Sequence, residues 1–249
     1  MLSLPLTLPA GALLDHGQIS LDEMVGDLGG VWFSFDSALA EIEDGAIATL
    51  RARVGTMTAR RTEANTGNGR LGRFNGADVL ETRPRENCGF VLTERIDCAL
   101  IGLICVFASP TGAAETIACV DSRKGDSALV LVERGGTITL TDRNARAVAS
   151  VAAGPGMQAV FATIAPDQIA LIGPEASAVT ANLPGSFQPG PCDVFMACRR
   201  GRAGLHNTLG DLRLAEVICL PNMDICQPDA ADLRDTVRAY VERVFGHGV

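Results

Sequence analysis

The stretch from Cys192 to Val217 decides the fold class of this chain. It opens with CDVFMACR over Cys192 to Arg199, a pattern that predicts a β-strand. A polar turn follows at Arg200 to Gly204, and TLGDLRLAEV over Thr208 to Val217 predicts a second strand. This succession favours an all-β sandwich over a fold of alternating strands and helices.

Short strand-like runs separated by turn signals recur upstream as well. Gly135-Gly136 lies between two such runs and predicts a two-residue hairpin turn. The polar run from Arg60 to Arg70 predicts an exposed loop. The remaining predicted strands cover residues 31–36, 47–54, 77–82, 98–108, 115–120, 127–134, 137–142, 146–152, 157–164, 168–172 and 178–183.

A single helix is predicted near the end of the chain, from Pro228 to Phe245. Asp229 and Asp232 suit its first turn, where the helix dipole favours negative charge. Its apolar residues recur at helical spacing: Leu233, Val237, Tyr240, Val241 and Val244. We expect this face to pack against the sandwich.

The order of the segments is similar to that of a known family. VWFSFD over Val31 to Asp36 precedes LGRFNGADVL over Leu71 to Leu80, and Ala239-Tyr240-Val241 lies in the terminal helix. In this order the chain resembles the laminin G and concanavalin A-like lectin domains, especially those of phage, prophage and gene-transfer-agent virion proteins. The resemblance implies an all-β, concanavalin A-like jelly-roll β-sandwich over residues 29–249 with a short C-terminal helix.

Length and charge narrow the functional classes. The chain has 249 residues and a formal charge of −8, from 21 basic and 29 acidic residues. This length suits one large β-domain. The negative charge disfavours non-specific attraction to nucleic acid or to an anionic membrane, and no run approaches the ~20 apolar residues of a membrane-spanning helix. We expect neither nucleic acid nor membrane as a partner.

Eight cysteines raise the question of disulfides. Most lie in apolar strand-like runs, as Cys105 and Cys219 do, where a thiol packs as a small apolar side chain. Cys192 and Cys198 lie on one strand, about 20 Å apart at ~3.3 Å per residue, and cannot pair with each other. The sequence predicts buried free thiols and assembly in the reducing bacterial cytoplasm.

Catalytic motifs are sparse. Jelly-roll glycanases carry their carboxylates on one strand as E-x-D-x-E, and no such triplet occurs here. A retaining glycosidase needs two carboxylates about 5–5.5 Å apart, but Glu41-Ile42-Glu43 falls in a predicted turn. Only His206 of the three histidines lies in a domain loop, and no G-x-S-x-G occurs. These observations predict that the chain is not an enzyme.

The densest polar loop supplies the candidate glycan contacts. Its side chains suit acidic sugars, which arginine binds through bidentate hydrogen bonds. A solvated turn or a salt-bridge patch between subunits explains the same residues as well. The candidates are Arg199, Arg200, Arg202, His206 and Asn207.

Calcium is the only cofactor that the resemblance implies. Lectin-like sandwiches bind it through loop carboxylates and carbonyl groups. Asp121, Asp126 and Asp142 lie at predicted strand ends and are the candidate ligands. Solvated surface carboxylates are the simpler explanation. Trp32, the only tryptophan, alternates within an apolar strand, so we expect it in the core.

The resemblance and the sparse motifs together predict a non-enzymatic structural or receptor-binding protein of a phage-like particle, such as a spike, fibre or decoration subunit. The expected partners are cell-surface polysaccharide, other virion proteins and further copies of the chain in a homo-oligomer. The expected location is the surface of the virion or particle. A glycan-processing enzyme on the same fold, and a cellular sugar-binding or adhesion domain, are the alternatives.

Residues 1–28 precede the region that resembles the lectins. Pro5 and Pro9 disfavour a helix there but permit an extended strand. Four leucines alternate at period two and would share one face of such a strand: Leu2, Leu4, Leu6 and Leu8. We expect an extended arm that docks on a virion protein or on another copy of the chain; packing on the domain itself is the alternative.

Overall fold

Two antiparallel β-sheets pack face to face, and both described helices lie against one of them. The computed structural model describes residues 20–62, 69–86, 88–123, 128–174, 177–183, 185, 187–200 and 210–246. The helices are α1 (Leu21–Asp27) and α2 (Ala231–Phe245), the second preceded by a 3₁₀ turn at Pro228–Ala230. The predicted all-β sandwich with a short C-terminal helix is confirmed.

Within the described residues, eighteen strands build the sheets. They are β1 (Val31–Ser34), β2 (Ala40–Glu43), β3 (Ala46–Arg51), β4 (Thr58–Arg61), β5 (Arg70–Phe74), β6 (Ala77–Glu81), β7 (Phe90–Leu92), β8 (Ile96–Cys98), β9 (Ile101–Ala108), β10 (Glu115–Asp121), β11 (Ala128–Arg134), β12 (Thr137–Asp142), β13 (Val148–Ala152), β14 (Gln158–Ile164), β15 (Gln168–Ile172), β16 (Ala178–Asn182), β17 (Gly190–Met196) and β18 (Arg213–Pro221). Sheet A runs β16-β15-β14-β9-β18-β6-β5, with β1 also on β18. Sheet B runs β13-β12-β11-β10-β17-β7-β4-β3-β2, with β8 also on β17.

Alternation along each strand separates the core from the outer faces. Leu129 and Leu131 of β11 enter the core between the sheets, whereas Val130 and Val132 belong to a cluster on the outer face of sheet B. Strand β9 is buried throughout because its second face is covered as well. There Ile104 and other apolar residues of sheet A pack under the helices.

Most predicted strands are found, with boundaries that differ by a few residues. Gly135 and Gly136 form the predicted hairpin turn, with φ angles of 58° and 77° that suit a two-residue turn between twisted strands. The prediction was wrong for β2, which had been assigned to a turn, and for the two ends of the predicted loop at residues 60–70, which lie in β4 and β5. Residues 63–68 of that loop lie outside the described residues. These strands bury few side chains, so apolar alternation does not reveal them.

The amino-terminal segment differs in part from the expected extended arm. Residues 21–27 form helix α1, begun by a capping box in which Ser20 and Glu23 each bond the other's backbone N–H. Leu21 and Val25 pack into the apolar layer on sheet A. Residues 1–19 lie outside the described residues, and the division at residue 28 stays a prediction.

A buried carboxylate joins α2 to sheet A. Glu216 of β18 accepts hydrogen bonds from Trp32 Nε1 (2.7 Å), Tyr240 OH (2.6 Å) and Ser34 Oγ (3.2 Å). Burial raises the pKa of Glu216 to about 7, although these donors and the nearby Arg53 lower it. Trp32 is fully buried, as expected of a core residue. The terminal helix is therefore fixed by a polar network as well as by apolar packing.

All eight cysteines are free thiols, and seven of them are buried. Cys98 and Cys192 lie close together in the core, with 3.9 Å between their Sγ atoms. Within the described part of the chain, no helix is both long enough and apolar enough to cross a membrane.

Candidate functional site

The outer face of sheet B carries the candidate site. Directly paired residues form one row across nine strands, and residues at paired positions share a face. The row is apolar at its centre, around Phe195 and Val130, and polar at one end. In strand order it consists of Val148, Thr141, Val130, Cys119, Phe195, Val91, Arg60, Thr49 and Glu41.

Two aspartates lie side by side on this face. Asp121 of β10 pairs directly with Asp193 of β17, each two residues from the apolar row. Their side chains are only 5% and 7% exposed. Directly opposed side chains on antiparallel strands have Cβ atoms about 5 Å apart, and two like charges at that spacing are destabilising unless they are neutralised.

Three arginines from separate loops neutralise the two carboxylates. Arg95 Nε lies 3.3 Å from Asp193 Oδ1, and Arg123 Nε donates to the other carboxylate oxygen of Asp193. Arg200 Nη1 lies 3.5 Å from Asp121 Oδ2. The arginine side chains stay 43–57% exposed, so the set of five residues presents guanidinium groups to solvent above buried carboxylates. We call it the arginine–aspartate cluster.

The turn after β10 aims Arg123 at the cluster. Arg123 has a φ of 57°, in the left-handed region that few side-chain-bearing residues adopt. Its backbone N–H donates to Asp121 Oδ1 at 2.7 Å, a local bond typical of aspartate in turns. Asp121 therefore both accepts a guanidinium and holds the turn that positions another.

The predicted glycan contacts are only partly described. Arg200 belongs to the cluster, and Arg199 lies beside it with Nε bonded to Thr116 Oγ1 at 3.0 Å. Burial lowers the pKa of Arg199. The other three predicted contacts, Arg202, His206 and Asn207, lie outside the described residues, so this set of contacts stays a prediction.

The predicted calcium ligands do not converge where they are described. Asp121 pairs with Ala128 and faces outward, whereas Asp142 pairs with the core residue Leu129 and therefore faces the other side of the sheet. Asp126 lies outside the described residues. Across residues that the structure describes, no group of three His, Cys, Asp or Glu side chains could hold a metal ion. Calcium binding stays a prediction.

Asp142 instead stabilises a turn. Its Oδ1 accepts from the backbone N–H groups of Arg146 (2.6 Å) and Ala147 (3.1 Å), and its Oδ2 accepts from Arg146 Nε (2.8 Å). These bonds lower the pKa of Asp142, although burial opposes them. The residue orders the connection between β12 and β13.

A cleft of about 290 Å³ lies on the opposite sheet, between the start of β14 and the last turns of α2. Its polar groups are largely engaged with their neighbours. The amide of Gln158 bonds both backbone groups of Gly154, and Arg238 bonds Asp235. Glu242 is the exposed carboxylate on its wall. Fewer groups converge here than in the arginine–aspartate cluster.

The sequence pointed to Asp121 and Arg200 but missed Asp193, Arg95 and Arg123. The ion pairs of Asp193 span 98 and 70 positions of sequence, so no local motif contains them. One signal was available: Asp193 is the charged residue in an otherwise apolar strand, CDVFM, and a charge there must be paired when the strand is buried.

Comparison with solved structures supports the sandwich fold. Neither a protein-family model nor a curated protein sequence matches the chain. Domain 4 of AbnA, a GH43 extracellular arabinanase from Geobacillus stearothermophilus in complex with arabinotriose, is similar with a TM-score of 0.55 and 9% identity, over 83% of this chain and 96% of that domain. A GH54 α-L-arabinofuranosidase has a TM-score of 0.56 and 10% identity, over 92% of this chain and 66% of that one. A receptor-binding domain has a TM-score of 0.53 and 8% identity, over 88% and 53%.

These neighbours contradict the prediction that the protein is not an enzyme. The same sandwich occurs in chains of glycoside hydrolases, so the fold gives no ground for excluding activity. The prediction had also assumed that catalytic carboxylates must share one strand. Asp121 and Asp193 lie on two adjacent strands, an arrangement that a search for E-x-D-x-E cannot detect.

Proposed function

We propose that this protein is a carbohydrate-binding β-sandwich whose ligand lies on the outer face of sheet B. The arginine–aspartate cluster is the observation that carries the proposal. It sets exposed donors on a rigid sheet, and the buried carboxylates beneath them fix their orientation. Half-buried Val91 and Ala128 offer small apolar surfaces beside it for the C–H faces of a sugar.

The chemistry of the cluster suits a polyhydroxylated ligand. A guanidinium group presents several N–H donors in one plane, and a carboxylate accepts from neighbouring hydroxyls. Charge-assisted hydrogen bonds of this kind are roughly twice as strong as neutral ones. Ion pairs with the strand residues Asp121 and Asp193 restrain the arginines, which limits the entropy lost when the ligand binds.

The neighbours add support at the level of the fold. The AbnA domain was solved with arabinotriose bound, so a sandwich of this architecture holds an oligosaccharide in at least one protein. A receptor-binding domain shares the fold too. We further propose that the ligand lies on a cell surface and that the protein is displayed on a particle or a cell. Its proposed partners are virion proteins and further copies of the chain in a homo-oligomer.

The experiment is a glycan-array screen that includes arabino-oligosaccharides, followed by titration calorimetry of each ligand found. Replacing Arg123 with Gln should weaken binding, whereas replacing Arg73 with Gln on sheet A should not. Arg73 is a matched control because its Nε also lies 3.3 Å from an aspartate oxygen, that of Asp78. Failure to bind any saccharide would refute the function. Binding that the Arg123 change leaves intact would move the site elsewhere.

Glycan hydrolysis is a second candidate, favoured by the paired carboxylates of Asp121 and Asp193. The Cβ atoms of directly opposed residues lie about 5 Å apart, so the two carboxyl groups project from adjacent positions on one face, and glycosidases act with a pair of neighbouring carboxyl groups. Incubation with each bound saccharide, and detection of reducing ends, tests it. An activity that survives both Asp121→Asn and Asp193→Asn would exclude these carboxylates.

A further inference from the structure

The arginine–aspartate cluster carries more positive than negative charge. Arg95, Arg123 and Arg200 face the two carboxylates of Asp121 and Asp193, which leaves one positive charge in excess. The whole chain has a formal charge of −8, so the sign of the cluster is opposite to that of the molecule. A local charge of this kind on a sheet face attracts anions selectively.

The geometry leaves donors available for a second anion. Among the described contacts, Arg95 and Arg123 bond Asp193 through Nε only. A guanidinium group has a second edge, formed by its two terminal nitrogens, that matches a carboxylate with two parallel hydrogen bonds. Both side chains are nearly half exposed, at 45% and 43%, so these edges are accessible to solvent.

Arg60 extends the positive surface along the same face. It is exposed and pairs with Val91, which in turn pairs with Phe195. Adjacent strands lie about 4.8 Å apart, so Arg60 stands about 10 Å from the Phe195 strand. A ligand longer than one sugar ring would pass from the cluster over Val91 to this arginine.

We propose that the cluster selects saccharides that carry a carboxylate, with the acid group bound by the terminal nitrogens of Arg95 and Arg123. The inference rests on the proposed carbohydrate-binding function and specifies its substrate class. Asp193 is the positioning residue, because it holds both guanidinium groups through their Nε atoms. Arg200 and Arg60 attract further acid groups of the same polymer.

An acidic saccharide fits better than a nucleic acid. Nucleic-acid binding relies on many phosphate contacts over a broad basic surface, whereas here a few arginines stand on a molecule with an excess of negative charge. Hydroxyls of a neutral sugar would accept single hydrogen bonds from the unused guanidinium edges, whereas a carboxylate accepts two parallel charge-assisted bonds from one edge. The ligand class is therefore recognised by one or a few discrete carboxylates.

The test compares each acid with its own neutral form. Oligomers of galacturonate, glucuronate and sialate are titrated beside their methyl esters, which keep the sugar and remove the charge, and beside a single-stranded DNA oligonucleotide. We expect at least one free acid to bind tenfold or more tightly than its ester, with an affinity that falls as salt is added.

Variants locate the effect. Arg123→Gln and Arg95→Gln should each reduce the preference for the acid by roughly tenfold, and Arg123→Lys should recover only part of it because lysine lacks the paired donors. Arg73→Gln on sheet A should leave it unchanged. Circular dichroism checks that each variant is folded. If either variant fails to fold, Arg200→Gln replaces it in the comparison, since the Arg200 side chain is more exposed.

The outcomes separate the two proposals. If saccharides bind and the esters bind as well as the acids, the acid preference is wrong while the carbohydrate function stands. If no saccharide binds, both are wrong. DNA binding that is tighter than any acid, or acid binding that ignores the arginine changes, also overturns the inference.

Discussion

Replacing Glu216 with Gln should remove a pH-dependent loss of stability from the protein. Three donors converge on the Glu216 carboxylate, and a Gln side chain can form a hydrogen bond with each of the same three groups. Its amide oxygen can accept from Trp32 Nε1, while its amide NH₂ donates to the hydroxyls of Ser34 and Tyr240, which rotate to accept. The variant therefore keeps the network and deletes the titrating group.

The size of the effect follows from the pKa. Burial raises the pKa of Glu216 from its ordinary 4.5 to about 7, so the folded protein binds this proton more tightly than the unfolded chain. Below pH 4.5 this carboxyl is protonated in both the folded and the unfolded state, and its full contribution to stability is present. Between that value and about 7 the unfolded chain ionises first, and stability falls by about 3 kcal/mol in total, at about 1.4 kcal/mol per pH unit. Above about 7 the loss is constant.

Urea unfolding of the wild type and the Glu216→Gln variant from pH 4 to pH 8.5 measures this difference. The free energy of unfolding of the variant, minus that of the wild type, should rise by about 3 kcal/mol across this range. The exposed Glu41→Gln is the control, and its difference should stay nearly flat. Taking differences cancels the acid-induced losses that other carboxylates cause in both proteins.

A flat Glu216→Gln difference would refute the reasoning, because it would mean that the folded environment leaves the carboxyl with its ordinary affinity for protons. Glu216→Leu provides a second check. It leaves the N–H of Trp32 and the O–H of Tyr240 buried without an acceptor at every pH, so relative to the Glu216→Gln variant it should destabilise the protein by about 2–4 kcal/mol throughout. Equal stability of Leu and Gln variants would show that the hydrogen bonds do not anchor the helix.

Three further predictions concern stability and thiol chemistry. Gly210→Ala should destabilise the protein by more than about 2 kcal/mol in urea unfolding, because the new Cβ would lie 1.9 Å from the backbone oxygen of Ala113. The control, Gly26→Ala in helix α1, should stabilise the protein by up to about 1 kcal/mol through helix propensity. Equal effects of the two substitutions would contradict this prediction. Because the pKa of Asp142 is lowered in the folded protein, the stability that its carboxylate contributes is lost as the pH falls through that pKa. Asp142→Ala should therefore lower the free energy of unfolding in urea by about 2 kcal/mol at pH 7 and by less at pH 2.5. The same loss at both pH values would contradict this prediction. In the native protein, iodoacetamide should label Cys226 before the other cysteines because its thiol is only half-buried, and labelling should be slow because burial raises its pKa to about 11. In the denatured protein, mass spectrometry should detect eight labelled cysteines. Rapid labelling of any other cysteine in the native protein would contradict the buried positions.

Local sequence patterns carried most of the fold. The apolar pattern located β9, β11 and β14 as nearly continuous apolar runs, and the glycine pair at 135–136 marked its hairpin. It failed at β2, whose residues are mostly exposed and lack any apolar period. Helix α1 was missed because its capping residues, Ser20 and Glu23, were read as part of an extended arm.

The candidate site was accessible to sequence reasoning only in fragments. A polar loop suggested Arg200 and a strand end suggested Asp121, but for different ligands. Their contact depends on the turn after β17 reaching the end of β10. Nothing in either segment alone encodes that distance.

By itself, the sequence determined most of the strands, the hairpin turn at Gly135-Gly136 and the terminal helix, because these depend on residues a few positions apart. The tertiary structure alone decided which polar side chains meet. Asp121 and Asp193, 72 positions apart in the sequence, become neighbours because β10 pairs with β17, and Arg95 joins them from a loop nearly 100 residues from Asp193. Such pairings are set by which apolar faces bury one another, a property of the whole chain, and so the chemistry of the outer face emerges only once the sandwich has closed.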